Sequence, residues 1–411
     1  MTSFQTAAAV LGAVLIVGAL VSGLAQRSVL SLAGFFALAG FCLGDGGLRV
    51  ISFRAHSGFV EDLAFVALIV ILFRDGLEVE GEMLQRAWHL PLRKLALAMP
   101  ITAIIIAVAG RILFDFSWSE SFLLGALLCP TDPVLTSNIV TNARVPQLVR
   151  HSLNLESGLN DGLALPAVLT FLAALGAGSA HFVWWRFVVQ DIGLGLLYGL
   201  ACGLLASLAM PNQSGRGHDP EHAIPSHQKS LYALGVAFAT YGVTVLSPRG
   251  NGFIAVFVAA IVLGIRRPDL RRHFQERADE IVEIVKLGIF LVFGSLLTLH
   301  ALFGDGLAAI ALVLITLVLA RPLAVLISLA GTNTDYPTRL FMGWFGPKGV
   351  ATMTFSLLVL DRHIASGQRI FDLTALVVFC SIILHGASDT PGARWIARRQ
   401  AESVRDPNAR R

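Results

Sequence analysis

Charge is what this chain has least of. Acidic and basic residues together make up 14% of its 411 positions, where a soluble domain carries about a quarter. With 55% hydrophobic residues and a mean hydropathy of +0.71, a freely soluble enzyme is excluded and a polytopic membrane protein is implied. Only four cysteines occur, Cys42, Cys129, Cys202 and Cys380, all inside apolar stretches and without metal-ligand spacing. Neither a disulfide framework nor a zinc site follows, and the four read as small buried side chains. A net charge of +4 does not point to nucleic acid, because the basic residues lie in short loops and build no basic domain. No strand followed by GxGxxG and a helix is present, so no nucleotide-binding domain is expected.

What is abundant is apolar sequence in runs near 20 residues, the length that crosses a hydrocarbon core about 30 Å thick. Thirteen spans can be drawn: Thr6–Ala25, Val29–Gly44, Gly58–Phe73, Leu95–Phe114, Ser119–Val140, His151–Gly176, Trp185–Met210, Ser230–Leu246, Gly252–Ile265, Ile281–Phe303, Leu307–Gly331, Arg339–Leu360 and Phe371–Gly386. With the N-terminus outside and the C-terminus cytoplasmic, basic residues of the connecting segments favour the inner side threefold, as orientation by cytoplasmic positive charge requires. An all-α fold of thirteen transmembrane helices follows. The polar loop from Pro211 to Gln228 is a midpoint linker, Arg266–Glu280 is a charged surface helix against solvent or headgroups, and the basic tail after Pro391 meets anionic headgroups rather than folding.

Two spans carry breaks. Span five contains Cys129-Pro130-Thr131-Asp132-Pro133, and span twelve contains Gly346-Pro347-Lys348-Gly349. If span seven is a connector, spans one to six pair with eight to thirteen, each set entering from the opposite side, and the two discontinuous helices correspond. The domains are then residues 1–176, a first inverted repeat; 177–228, the linking helix and loop; 229–390, the second repeat; and 391–411, the tail.

The breaks and the start of span six bring ionisable groups into the membrane, where they survive by pairing, by facing water or by handling ions. A proline frees a preceding carbonyl, and hard cations take oxygen ligands. Asp132, Asp161, Ser157 and Thr131 would supply carboxylate, hydroxyl and carbonyl oxygens to a monovalent cation. Lys348 can neutralise the C-terminal ends of the half-helices. Glu156 and Asn160, spaced i, i+4, share a face, while Asp161 is turned about 100° from them. Arg321, in span eleven, is the intramembrane cation available to pair with Glu156. His385 reads as a hydrogen-bonded packing residue, Glu283 and Lys286 as a local i, i+3 ion pair, and Trp344 as an interface marker.

Thr131-Asp132-Pro133, Glu156-Ser157 followed by Asn160-Asp161, Gly250-Asn251-Gly252-Phe253-Ile254-Ala255-Val256-Phe257-Val258-Ala259, and Trp344-Phe345-Gly346-Pro347-Lys348-Gly349 together resemble the cation/proton antiporter superfamily, in its NhaP-like sodium/proton exchanger branch. Leu72-Phe73-Arg74-Asp75-Gly76-Leu77 resembles a further shared element. The resemblance implies a homodimer in the plasma membrane, a core domain moving against a dimer domain, and no cofactor beyond the transported Na⁺ (or Li⁺ or K⁺) and H⁺. It makes Asp161 the ion- and proton-binding carboxylate, with Asp132, Ser157 and Thr131 around it and Glu156, Asn160, Arg321 and Lys348 in support. Lys348 stands where that branch usually has arginine, and unlike arginine a lysine can lose its proton when desolvated. Asn160 stands where the electrogenic branch has a second aspartate, which implies electroneutral exchange. A potassium/proton antiporter is the alternative within transporters; a cation channel and an intramembrane aspartyl protease are those outside, the latter lacking its Gly-x-Gly-Asp pattern.

Overall fold

The computed structural model describes residues 4–25, 32–53, 57–79, 89–132, 139, 142–176, 183–210, 225–246, 250–362 and 364–405. Among them every regular element is helical. Thirteen helices and one long terminal helix can be labelled in order: α1 Phe4–Ala25, α2 Leu32–Leu43, α3 Gly58–Leu77, α4 His89–Phe114, α5 Trp118–Leu128, α6 Gln147–Gly176, α7 Trp185–Ala209, α8 Ser226–Leu246, α9 Gly252–Arg266, α10 Pro268–Ser295, α11 Gly306–Ser328, α12 Tyr336–Trp344, α13 Val350–Asp361 and α14 Gly367–Arg405. A single helical stretch, Leu299–Phe303, joins α10 to α11. Six of these, α4, α6, α7, α11, the 228–246 part of α8 and the 367–399 part of α14, are long and apolar enough to cross a membrane. Shorter apolar stretches lie in α1, α2, α5, α9 and α13. Pro133, Arg216 and the 211–224 part of the polar loop lie outside the described residues.

Local chemistry sets several of the boundaries. Ser117 opens α5 with a reciprocal capping box, its Oγ accepting from the Glu120 N–H while the Glu120 carboxylate accepts from the Ser117 N–H at 2.7 Å, which satisfies two otherwise orphaned donors. Asn251 caps α9 by accepting from the N–H groups of Phe253 and Ile254 at 3.1 and 3.2 Å. Both α4 and α11 contain a π-helical turn, Lys94–Ala98 and Ile315–Ala320, and the two helices cross close to these turns.

Packing places α2 against α10 and α3 against α9, with α7 on the far side of α9. A continuous apolar core runs through α2, α3, α5, α6, α9, α10, α13 and α14. A second cluster, including Val149, Leu153, Val325, Phe341 and Ile396, closes one end of the bundle.

Four expectations from the sequence need correction. The 266–280 segment is no separate surface helix: it is the opening of α10, with Leu270 and Phe274 fully buried and the Phe274 ring 5.8 Å from Phe73, because its apolar positions continue the face of the membrane helix. The tail folds: α14 runs through Pro391 to Arg405, burying Ala393 and Ile396 and stacking Trp395 on Phe341 at 6.1 Å, while Arg399 pairs with Asp335 at 3.3 Å. Of the cysteines only Cys129 is buried; Cys42 is exposed and the other two are half-buried. Trp344 is drawn inward, its indole N–H donating to Ser388 at 2.9 Å.

Candidate functional site

The two breaks cross each other. The Asp132 N–H donates to the Pro347 carbonyl at 2.8 Å, and Lys348 Nζ donates to the Pro130 carbonyl at 3.2 Å. The Asp132 carboxylate in turn accepts from the Val350 N–H at 3.4 Å, at the start of α13. Each half-helix end is thus answered by opposite charge from the other break: Lys348 sits on the carbonyl end of α5, and Asp132 on the amide end of α13. The approach is close enough to require glycine. A Cβ on Gly349 would lie 2.0 Å from the Asp132 Cβ, and one on Gly346 would lie 1.9 Å from Arg321 Nε.

Lys348 is tied further into the bundle. Its N–H donates to Ser381 Oγ at 2.9 Å, and Ser381 Oγ lies 3.1 Å from His385 Nδ1. His385 Nε2 is 2.8 Å from the Trp344 carbonyl and Nδ1 is 2.9 Å from the Ser381 carbonyl. The histidine is hydrogen-bonded within the bundle, in keeping with its reading as a packing residue, and ties α14 to both sides of the second break.

Helix α6 brings the remaining groups. Asn160 Nδ2 donates to the Thr131 carbonyl and to Thr131 Oγ1 at 2.8 and 2.9 Å, fixing the first break to α6. That contact leaves the buried Oδ1 of Asn160 without a partner among the described residues. Glu156 accepts from Arg321, Nη1 to Oε1 at 2.7 Å and Nη2 to Oε2 at 3.2 Å, the pairing expected from the sequence. Ser157, half-buried, and Asp161, buried, stand i, i+4 on the adjacent face. The structure therefore brings together Thr131, Asp132, Asn160, Asp161 and Lys348 at the crossing, with Glu156 and Arg321 as a buried pair beside it.

Three charged residues join this set that the sequence reading placed elsewhere. Asp75, near the end of α3, is buried with its carboxyl close to that of Asp161. Its only signal was the Arg74-Asp75-Gly76 segment, quoted as a motif but given no role. Lys286 is buried within electrostatic reach of both Asp75 and Asp161. Glu283, exposed, is turned the other way, so the expected local ion pair is replaced by a charge facing the carboxyls. Lys94, one residue before the predicted start of span four, is wholly buried and ion-paired to Glu156; α4 begins at His89 rather than Leu95 and carries the lysine inside.

At one end of the bundle Arg369 pairs with Asp305 at 2.5 Å and donates to the Phe114 carbonyl at the end of α4. Arg93, at the start of α4, donates to the Ala330 carbonyl. A small cleft lies between α3, α9 and α13, lined by Glu61, Phe65, Phe253, Thr354 and Asp361 among others.

Broken helices crossed inside an apolar bundle, with carboxyls and hydroxyls gathered at the crossing and charges balanced around it, define a secondary membrane transporter for a small ion. The chain belongs to the sodium/hydrogen exchanger transmembrane family, which it matches over residues 12–395. It is 28% identical over 404 residues to the K(+)/H(+) antiporter NhaP2 of Shewanella sp. (strain MR-4), covering 96% of this chain and 67% of that protein. To the probable Na(+)/H(+) antiporter 2 of Methanocaldococcus jannaschii it is 23% identical, with 87% and 89% covered. The structure of the sodium proton antiporter MjNhaP1 from Methanocaldococcus jannaschii superposes with a TM-score of 0.79 at 19% identity, covering 96% of this chain and 99% of that one, so the two share a fold. This chain spans about two thirds of the length of the NhaP2 relatives.

Proposed function

We propose that this protein exchanges a monovalent cation, Na⁺ or Li⁺, for a proton by alternating access, with cation and proton competing for Asp161. The observation that carries the reading is the crossing itself. Asp161 stands within electrostatic reach of Asp75 and Asp132, and Asn160, the residue before it, is tied to the backbone and side-chain oxygens of Thr131, which supports the reading. A hard cation asks for such a set of oxygens, and a carboxyl that another carboxyl contacts can hand its proton over when a cation arrives. An uncompensated carboxylate does not cross a dry barrier, so the site moves loaded with one or the other and leak is suppressed.

The site is Asp161, Asp132, Ser157 and Thr131, to which Asp75 is added; Glu156, Asn160, Arg321 and Lys348 hold it. Thirteen spans, two inverted repeats (1–176 and 229–390) joined by 177–228, an outside N-terminus in the plasma membrane and a homodimer with separate core and dimer domains complete the reading. The packing of α2 on α10 and of α3 on α9 supports the repeats, since spans two and nine, and three and ten, exchange places under such symmetry. Potassium is the second reading for the cargo, favoured by the relatives named as K(+)/H(+) antiporters.

The test is proton flux in vesicles carrying the purified protein and a pH gradient, with Na⁺, Li⁺, K⁺ or Rb⁺ added in turn. Collapse of the gradient by Na⁺ and Li⁺, absent in Asp161→Asn, is the expected result. A response to K⁺ and Rb⁺ alone transfers the cargo to potassium; no proton movement with any cation overturns the exchange reading.

A further inference from the structure

One face of α6 is gripped at three successive turns. Ser152, Glu156 and Asn160 are spaced i, i+4, i+8 and are all buried, so they form a straight row. Asn160 is held by Thr131 of the first break. Glu156 is held by Arg321. Lys94 Nζ reaches both remaining points, donating to Ser152 Oγ at 3.2 Å and pairing with Glu156. Asp161 and Ser157 lie on the neighbouring face of the same turns, so whatever sets the rotation and height of this row sets where the Asp161 carboxyl stands relative to Asp132.

The two cations reach Glu156 from corresponding structures. Lys94 heads the π-helical turn of α4, its carbonyl accepting from the Met99 N–H five residues on, and Arg321 follows directly on the π-helical turn of α11. Such turns are uncommon and cluster at functional positions. Two full cations on one carboxylate are more than pairing requires: Arg321 alone satisfies both oxygens of Glu156, and burying a further ammonium is costly. A second buried cation therefore needs a purpose other than neutralising Glu156.

We infer that Lys94 is a positioning residue for cation binding: by bridging Ser152 and Glu156 it fixes the register of α6 and so the placement of Asp161 at the crossing. The inference rests on the exchange reading above. It makes a prediction opposite in sign to simple electrostatics. Removing a positive charge near a cation site should tighten cation binding through space, whereas loss of positioning weakens it. A purely structural role would lower stability and leave cation affinity alone.

The experiment measures proton flux against Na⁺ and, separately, K⁺ concentration in vesicles, for wild type, Lys94→Met, Ser152→Ala and Asp161→Asn, together with thermal unfolding of each in detergent. Lys94→Met is expected to raise the half-saturating cation concentration about tenfold with the maximal rate kept within about twofold, the size of effect that residues coupled to a site without touching its ligand produce. Ser152→Ala, which removes one neutral hydrogen bond, shifts it the same way by about threefold. A folded Lys94→Met protein with an unchanged or lowered half-saturating concentration overturns the inference; should that variant not fold, an unchanged value in Ser152→Ala does so. Retained exchange in Asp161→Asn instead defeats the placing of the cation on Asp161, and no proton movement with any cation in the wild type defeats the underlying exchange reading, whichever way the other two behave.

Discussion

At the scale of single residues the site is held by a few contacts that leave no slack. Glu156 shares two buried cations, Lys94 and Arg321. Replacing it by glutamine strands both, and removing one partner of a buried pair costs about 3–5 kcal/mol. Glu156→Gln is therefore expected to lower the thermal unfolding midpoint in detergent far more than Asp161→Asn, which leaves a carboxamide next to the Asp75 carboxyl. Gly349→Ala should act as a site mutation although glycine carries no functional group. Its methyl would overlap Asp132, so either the carboxylate or the half-helix must move, and exchange should fall to background in the flux assay with the protein still folded. What the sequence disclosed at this scale was the polar identities and the Glu156–Arg321 pair. Asp75, Lys94 and Lys286 were visible as letters but not as neighbours. Each stands near a predicted span end, where a charged residue by default reaches for the interface, and only the packing of α3, α4 and α10 on α6 or on one another turns them inward.

At the scale of elements, charged stretches read as surface prove to be the ends of membrane helices. Arg267 chelates Asp269 with two hydrogen bonds of 2.9 Å and donates to the Met210 carbonyl, anchoring the start of α10 to the end of α7. Burial pushes the Asp269 carboxyl up, but the hydrogen bonds from Arg267 and its charge outweigh that and hold it below the usual value of 3.8. The sign follows from linkage: a group with a depressed folded pKa adds stability at pH values above its unfolded pKa and loses it as pH falls through the folded one. The difference in unfolding midpoint between wild type and Asp269→Asn should thus be constant from neutrality down to about pH 4, the unperturbed aspartate range, and shrink below it. The end of α14 offers a second contrast. Ile396→Ala, at a position 2% exposed, should cost about 2–4 kcal/mol, whereas Arg398→Ala, exposed, should cost close to nothing; a tail lying loosely on headgroups would reverse the ranking. Hydropathy located these helices but misjudged their ends, because a window average falls wherever charge enters, whether or not the helix stops. Proline at 391 misled in the same way, since local propensity yields to the packing of Ala393 and Ile396 against α12.

For the whole molecule the question is how charge is counted through a cycle. If the proposed exchange carries one proton per cation, it should be indifferent to an imposed membrane potential. The Asp75–Asp161 contact makes this a real test. If potential accelerates flux in vesicles clamped with an ionophore for an untransported ion, and Asp75→Asn removes that dependence, the second proton belongs to Asp75. The two breaks and the family were legible in the sequence because Pro, Gly and Asp within apolar runs are rare and mechanistically specific. Stoichiometry was not, because it depends on which carboxyls meet across helices α3 and α6.

The meeting of Gly349 with Asp132 carries a consequence for heredity. The two positions belong to different halves of the chain, yet neither can change without the other: a side chain at 349 evicts the aspartate, and a larger acid at 132 has no space to grow into. In a random screen for loss of function, Gly349 and Gly346 should therefore be struck as often as the aspartates themselves. A suppressor of Gly349→Ala would have to arise at 132 or in the backbone beside it, and a search for such revertants would trace the contact between the two breaks by genetics alone.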